Sequence, residues 1–557
     1  MRNHRYLMAA AVAVALIASA CSADADDSSA LTTIASDSRR SSATTAAPAT
    51  TAAPARGQQP IAGGDSTARD RSIGDTAATS APATTAAPWN EEGFNYYRDE
   101  ASEYNRARQP VNEFVDPRDD DLSTFAVDVD TGAYTIMRAQ LDNGRLPDPA
   151  TVRVEEFVNY FDPGYAPPDG GTFAVYADGG PTPFAQSRYH EVVRIGIKAR
   201  EVSNRQRKDL NLTLVIDVSG SMKENNKLEI VKDALEVLVD ELDRADRVSI
   251  VAYTDEAWVA LDATDGGDKD RIVGALRELR PMRSTNAEAG LILGYDLADE
   301  NYDRESQNRV ILLSDGVANV GRTGPESILA RIGDETSRGI DLVTIGVGIH
   351  NYNDALLEQL ADQGDGFYAY VDTRDEAERL FRDRLTSTLE TVARDVKVQV
   401  RFDPDLVAEY RLLGFENRDI RDDDFRNDSV DAGEIGAGHS VVALYEVELD
   451  EGAYGRRAPA FAEVSLRWED ADTGRVDEIS GDVYADSLAT SFGRTEPEFQ
   501  LAATVAAYAE VLRGSRYMRG ISLDEIAEAA NELPLRRLGA DADEFIELVE
   551  RAGRIDH

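Results

Sequence analysis

The chain has 557 residues, too many for one hydrophobic core, and this length predicts roughly three or four folded units. Its 103 acidic residues against 59 basic ones give a formal net charge of −44. A surface of that sign repels nucleic acid and anionic lipid head groups, which excludes charge-driven binding to either and favours solubility.

Residues 1–21 read as an export signal. Arg2 and Arg5 open it, an apolar stretch runs from Tyr6 to Ile17, and Ala18-Ser19-Ala20 offers small residues for cleavage. The apolar run is shorter than a membrane span. Cys21, the only cysteine, follows directly. "IASAC" resembles a bacterial lipobox, which implies lipidation of Cys21 and a protein anchored in the cell envelope, facing outward. Ordinary cleavage at the same site, leaving a free thiol, is the alternative. With no second cysteine no internal disulfide forms, so packing or a metal must hold the exported domains. Residues 22–88 are mainly Ala, Thr, Ser, Pro, Asp and Gly in loose repeats such as "TTAAPATTAAPA", and are expected to be a disordered tether.

From Trp89 aromatics and charges appear together, and 89–205 is expected to form an N-terminal α+β region. "STFAVDVDTGAYTIMRAQL" (123–141) reads as a strand and then a helix, with "DVDTG" as a strand end and capping turn. "VRVEEFVNYF" (152–161) is amphipathic, and "YHEVVRIGIKA" alternates like a strand.

Across 206–395 strands and helices alternate. "LNLTLVID", "NRVILLSDG", "IDLVTIGVG" and "GFYAYV" are strand-like, and "RVSIVAYTDEAWVAL" reads as two strands joined tightly. "KLEIVKDALEVLVDEL" sets Leu228, Val231, Leu235, Leu238 and Leu242 on one helical face. "DRIVGALREL", "NAEAGLILGYDLADENY", "PESILARIGDETSRG", "NDALLEQLAD" and "RDEAERLFRDRLTSTLETV" complete the helices. The order predicts an α/β fold with a doubly wound, mostly parallel sheet. Residues 396–495 return to period two and are expected to be β-rich. Residues 496–557 turn helical, with Phe499, Ala502, Ala506, Ala509 and Leu512 on one stripe and a capping box at Ser522 and Glu525. The β-like segments on both sides of the α/β unit are expected to pair into one platform.

Ligands of doubly wound sheets sit beyond the carboxyl ends of strands, where strand order reverses. Asp217 and Asp315 end the two most apolar strands, the loop after Asp217 carries Ser219 and Ser221, and Thr285 stands at a helix start. Hydroxyls and carboxylates without imidazole or thiolate are hard ligands that suit Mg²⁺ or Mn²⁺. "DVSGS" with Thr285 and "SDG" resembles the metal-ion-dependent adhesion site (MIDAS) of a von Willebrand factor type A (VWA) domain. That resemblance implies Asp217, Ser219, Ser221, Thr285 and Asp315 as metal ligands. The flanks "STFAVDVDTGAYTIMRAQLDNGRLPDPATVRVEEFVNYF", "YRLLGFENR" and "DAGEIGAGHSVVALYEV" resemble bacterial YfbK-like lipoproteins. The family implies a protein partner that offers an Asp or Glu carboxylate to the metal. A turn whose side chains cap the next helix explains Asp217, Ser219 and Ser221, but not Thr285 and Asp315.

No enzyme is expected. His190, His350, His439 and His557 are far apart in sequence, and no G-x-S-x-G, H-E-x-x-H or Walker loop is present. A metal-dependent hydrolase of the envelope and a purely architectural envelope protein are the alternatives to an adhesive module.

Overall fold

Alternating polar and apolar residues on both sides of the central α/β segment, and long apolar runs within it, produce three sheets. The computed structural model describes residues 31–35 and 111–556, apart from 186, 188, 204, 283–285, 317–331, 334, 337, 349–353 and 455–458. Within the segment expected to be a tether, β1 (Thr32–Ala35) is a strand that pairs antiparallel with the strand Phe173–Pro181. Its β-branched residues favour extended backbone over the coil that the surrounding composition suggests. The rest of 22–88 and the export signal lie outside the described residues.

β2 (Leu122–Ala126) leads into α1 (Gly132–Asp142), then α2 (Val154–Asn159), β3 (Phe173–Pro181) and β4 (His190–Ala199). The expected amphipathic character of 152–161 is not observed: every residue of α2 is buried, Glu155 and Glu156 included. These acids are paid no solvent because backbone and arginine partners take its place. Glu155 Oε2 accepts from Phe415 N at 3.0 Å, and Glu156 accepts from Ala133 N and Arg153 at 2.6 Å each. The "DVDTG" turn also departs from the capping expectation, since Thr131 makes no side-chain cap. Asp130 Oδ1 instead accepts from Tyr368 N at 2.9 Å, and Asp128 Oδ2 accepts from Arg418 Nε at 3.0 Å. The turn ties three parts of the chain together.

The α/β unit starts with β5 (Leu210–Asp217) and α3 (Lys227–Glu241), followed by the antiparallel pair β6 (Arg247–Tyr253) and β7 (Ala257–Asp265). It continues through α4 (Lys269–Glu278), α5 (Ala287–Glu300), β8 (Gln307–Ser314), β9 (Ile340–Val347), α6 (Asp354–Asp362) and β10 (Tyr368–Val371). The sheet runs β10-β9-β8-β5-β6-β7 and is parallel except for β7. All eight residues of β5, and likewise of β8 and β9, are buried, as strands covered on both faces require. Leu212, Leu214 and Ile216 face α3 and α4, while Val215 faces α5. The expected helix "PESILARIGDETSRG" falls largely outside the described residues. The segment read as one helix from Arg374 is broken into α7 (Arg374–Glu378), a π-type turn at Arg379–Asp383, and α8 (Leu385–Leu389). Thr391 and Val392, assigned to that helix, instead open the next strand, where β-branched residues fit better.

β11 (Thr391–Phe402), β12 (Val407–Leu413), β13 (Gly433–Gly436), β14 (Ser440–Leu449), β15 (Ala462–Asp470) and β16 (Val476–Val483) complete the strands. Both flanks pair: β14 joins β4, giving the order β1-β3-β4-β14-β12, and β2 joins β11 in the sheet β13-β11-β15-β16. Val193, Ile195, Val398, Phe402, Tyr445 and Leu466 fill the space between these two sheets. The outer face of the first is covered by α1, α2 and the terminal helices α9 (Pro497–Leu512), α10 (Leu523–Asn531) and α11 (Ala540–Asp556). On that face Arg194 forms two hydrogen bonds, of 2.8 and 2.7 Å, with its cross-strand partner Asp178 beneath the ring of Phe499. The described molecule is thus a helix–sheet–sheet platform with an α/β unit inserted between β4 and β11.

Candidate functional site

The chain leaves β5 to build β6 and β7 on one side, then crosses back to place β8 on the other. Strand order therefore reverses between β5 and β8, which are parallel neighbours with Ile216 opposite Leu313. Asp217 ends β5 and Asp315 follows β8, so two buried carboxylates reach the same end of adjacent strands. Asp217 is fixed from both sides, its Oδ1 accepting from Ser219 N at 2.7 Å and its Oδ2 from Ser314 Oγ at 3.1 Å. The Ser219 and Ser221 hydroxyls lie 3.0 Å apart, Ser219 buried and Ser221 half-buried. The turn Gly220–Asn226 then carries Asn225 and Asn226 in the left-handed region, where asparagine is tolerated, before α3 begins.

Lys227 opens α3 and points back into this crevice. Its Nζ donates to Asp315 Oδ2 at 3.0 Å, and both side chains are buried. Gly348, at φ +89° beyond β9, leaves the space for that lysine: a Cβ there would stand 2.3 Å from Lys227 Cε. Burial, together with the charge on Asp315, pushes the Asp217 carboxyl up to about 6 although the Ser219 N–H works against it. Tyr253 lies alongside, its buried phenol raised by desolvation and by Asp217. Its hydroxyl has no hydrogen-bond partner among the described residues.

Four of the five predicted ligands, Asp217, Ser219, Ser221 and Asp315, are thus placed around one crevice. Thr285 lies outside the described residues. On either side of it, Met282 N donates to Val218 O at 2.7 Å and Asn286 Nδ2 donates to Asp255 O at 3.4 Å. Gly294, against which Val215 packs, lets α5 press onto β5 behind the site. Cys21 also lies outside the described residues. The donor set fits a hard divalent cation, being all oxygen, part hydroxyl and part carboxylate. Lys227, Ser314 and Tyr253 were not picked out by the sequence reading. Lys227 carried a usable signal, because a lysine in the first turn of a helix opposes the helix dipole and needs an acidic partner.

This sheet order and crevice define a von Willebrand factor type A domain, a protein-interaction module. The family model described as von Willebrand factor type A domain matches residues 211–383. Models described as von Willebrand factor and as uncharacterized protein YfbK, C-terminal, match 98–194 and 387–555. The chain belongs to the YfbK family. It is 34% identical over 454 residues to the uncharacterized protein YfbK of Escherichia coli, covering 77% of this chain and 78% of that one. It is 31% identical over 191 residues to the uncharacterized protein sll0103 of Synechocystis sp., covering 34% of this chain and 44% of that one. A solved von Willebrand factor type A protein from Catenulispora acidiphila aligns with 17% identity and a TM-score of 0.42, over 68% of this chain and 89% of that one. No helix among the described residues is long and apolar enough to cross a membrane.

Proposed function

We propose that the chain is a divalent-cation-dependent protein-binding module of the cell envelope, tethered through a lipid on Cys21. Asp217, Ser219, Ser221, Thr285 and Asp315 would hold Mg²⁺ or Mn²⁺. Bound there, the cation supplies a positive point on an acidic surface and an open position for a partner's Asp or Glu oxygen. The observation that carries this reading is the convergence of buried Asp217 and Asp315 on the paired hydroxyls of Ser219 and Ser221. Ser314 and the Ser219 N–H hold Asp217 in one orientation, and Lys227 does the same for Asp315. Burial of partner surface around the crevice would supply most of the affinity, and coordination the specificity.

A hydrolase would need a general base beside this crevice. His190 and His439 belong to β4 and the turn before β14, in the platform rather than in the sheet that carries Asp217. His350 and His557 lie outside the described residues. The test is capture by the immobilised full chain from envelope extracts. A partner retained in Mg²⁺, released by EDTA and not retained by Asp217→Ala is expected. Capture indifferent to both EDTA and Asp217→Ala contradicts the proposal.

A further inference from the structure

Three adjacent antiparallel strands of the platform bring one histidine and two glutamates into a single row. His190 on β4 is the register partner of Glu448 on β14, and Glu448 is the partner of Glu409 on β12. His190 Nε2 lies 3.1 Å from Glu409 Oε1 and 3.3 Å from Glu448 Oε2, and one ligand atom from each residue falls within 4.8 Å of the others. Like charges directly opposite one another weaken a sheet unless a cation stands between them. Glu409 facing Glu448 is such a pair.

The histidine is held as a ligand would be. It is only 5% exposed, and its Nδ1 is 2.9 Å from Glu446 Oε1, one step along the same face of β14. Glu446 is itself buried, with its other oxygen accepting from Arg411 NH2 at 3.0 Å. Phe114 packs on the imidazole with ring centroids 4.9 Å apart. A carboxylate on one ring nitrogen keeps the proton there and turns the other nitrogen toward a metal. The side chains of Glu409 and Glu448 are 38% and 36% exposed, which leaves access for water ligands. Ligands about 2.0–2.2 Å from a tetrahedral ion sit roughly 3.3 Å apart. The two observed separations already match that spacing.

We propose that His190, Glu409 and Glu448 form a second metal site, suited to a borderline cation such as Zn²⁺ and oriented by Glu446. Its mixed nitrogen and oxygen donors distinguish it from the all-oxygen crevice at Asp217. Occupation would pin β4 to β12 across β14, and any proton on Nε2 would pass to solvent.

The test is calorimetric titration of metal-stripped, untagged full chain with ZnCl₂ in excess MgCl₂, beside thermal melts. One Zn²⁺ per chain and a Zn²⁺-dependent rise in Tm are expected for the wild type and for Asp217→Ala. In Glu409→Gln/Glu448→Gln the affinity falls by about ten-fold or more and the rise disappears. Without metal this variant still unfolds in a single cooperative melt, which separates a lost site from a lost fold. No Zn²⁺ uptake by the wild type, or equal uptake by the double variant, overturns the site.

Discussion

Asp315 has a cation before any metal arrives, because Lys227 lies against it inside the crevice. An incoming divalent ion meets that ammonium as a competitor for the same carboxylate. Lys227→Met should therefore tighten Mg²⁺ binding several-fold in calorimetry. The metal-free variant should also lose stability, by about 3–5 kcal/mol if the uncovered charge stays buried. Weaker Mg²⁺ binding would assign Lys227 to building the crevice instead of guarding it. Asp217, Ser219 and Ser221 were legible in the sequence because they follow one another in a single loop, and Asp315 because it ends a strand of the same apolar type. Lys227 was read only as a helix start, since its contact depends on Gly348 from a different loop.

Among elements, α1 works as a clamp between the platform and the α/β sheet. Arg138 donates to Asp372 through Nε and NH2 at 3.0 and 2.6 Å, to Glu376 at 2.9 Å and to the Tyr160 hydroxyl at 2.8 Å. Removing one member of such a buried network leaves charges uncompensated, so Arg138→Ala should cost about 3–5 kcal/mol in denaturant unfolding. Arg138→Lys should recover only part of this, because a single ammonium cannot reproduce the fork. Ser522→Ala, which removes a capping box that bonds Glu525 N at 3.3 Å and Ser522 N at 2.8 Å, should cost only about 1 kcal/mol by the same measurement. The box was legible because its residues are three apart. The clamp was not, since its acidic partners Asp372 and Glu376 lie more than 200 positions from Arg138. The break between α7 and α8 was missed for a similar reason. Helical period alone does not show that the following Thr391 is claimed by β13 and the platform.

At the scale of the molecule, acids outnumber bases even inside the fold. Burial, with Glu416 and Asp128 nearby, pushes Glu155 up to about 8, and burial does the same for Glu358 with Glu156 adding to it. The folded chain keeps protons there that an unfolded carboxyl releases near pH 4.3 or so. That stability is full below the unfolded value and is lost as pH rises through about 8. Asp541 behaves oppositely: although burial resists, Arg379 holds it below the carboxylate range, so its contribution is lost in strong acid. Tm should therefore climb as pH falls from 9 toward about 6 and drop again below about 4. A Tm that keeps rising to pH 9 would contradict this. The α/β unit and both β-rich flanks were visible as changes of period along the chain. The row His190–Glu448–Glu409 was invisible there, because it exists only through the register of strands some 250 residues apart.

The central claim is that the Asp217 crevice takes one hard divalent cation. Calorimetric Mg²⁺ titration of the full chain, its Ser219→Ala variant and its Asp217→Ala variant tests it most directly. One site in the wild type, weakened at least ten-fold by Ser219→Ala and absent in Asp217→Ala, is the predicted result. Equal Mg²⁺ affinity in all three would contradict the account.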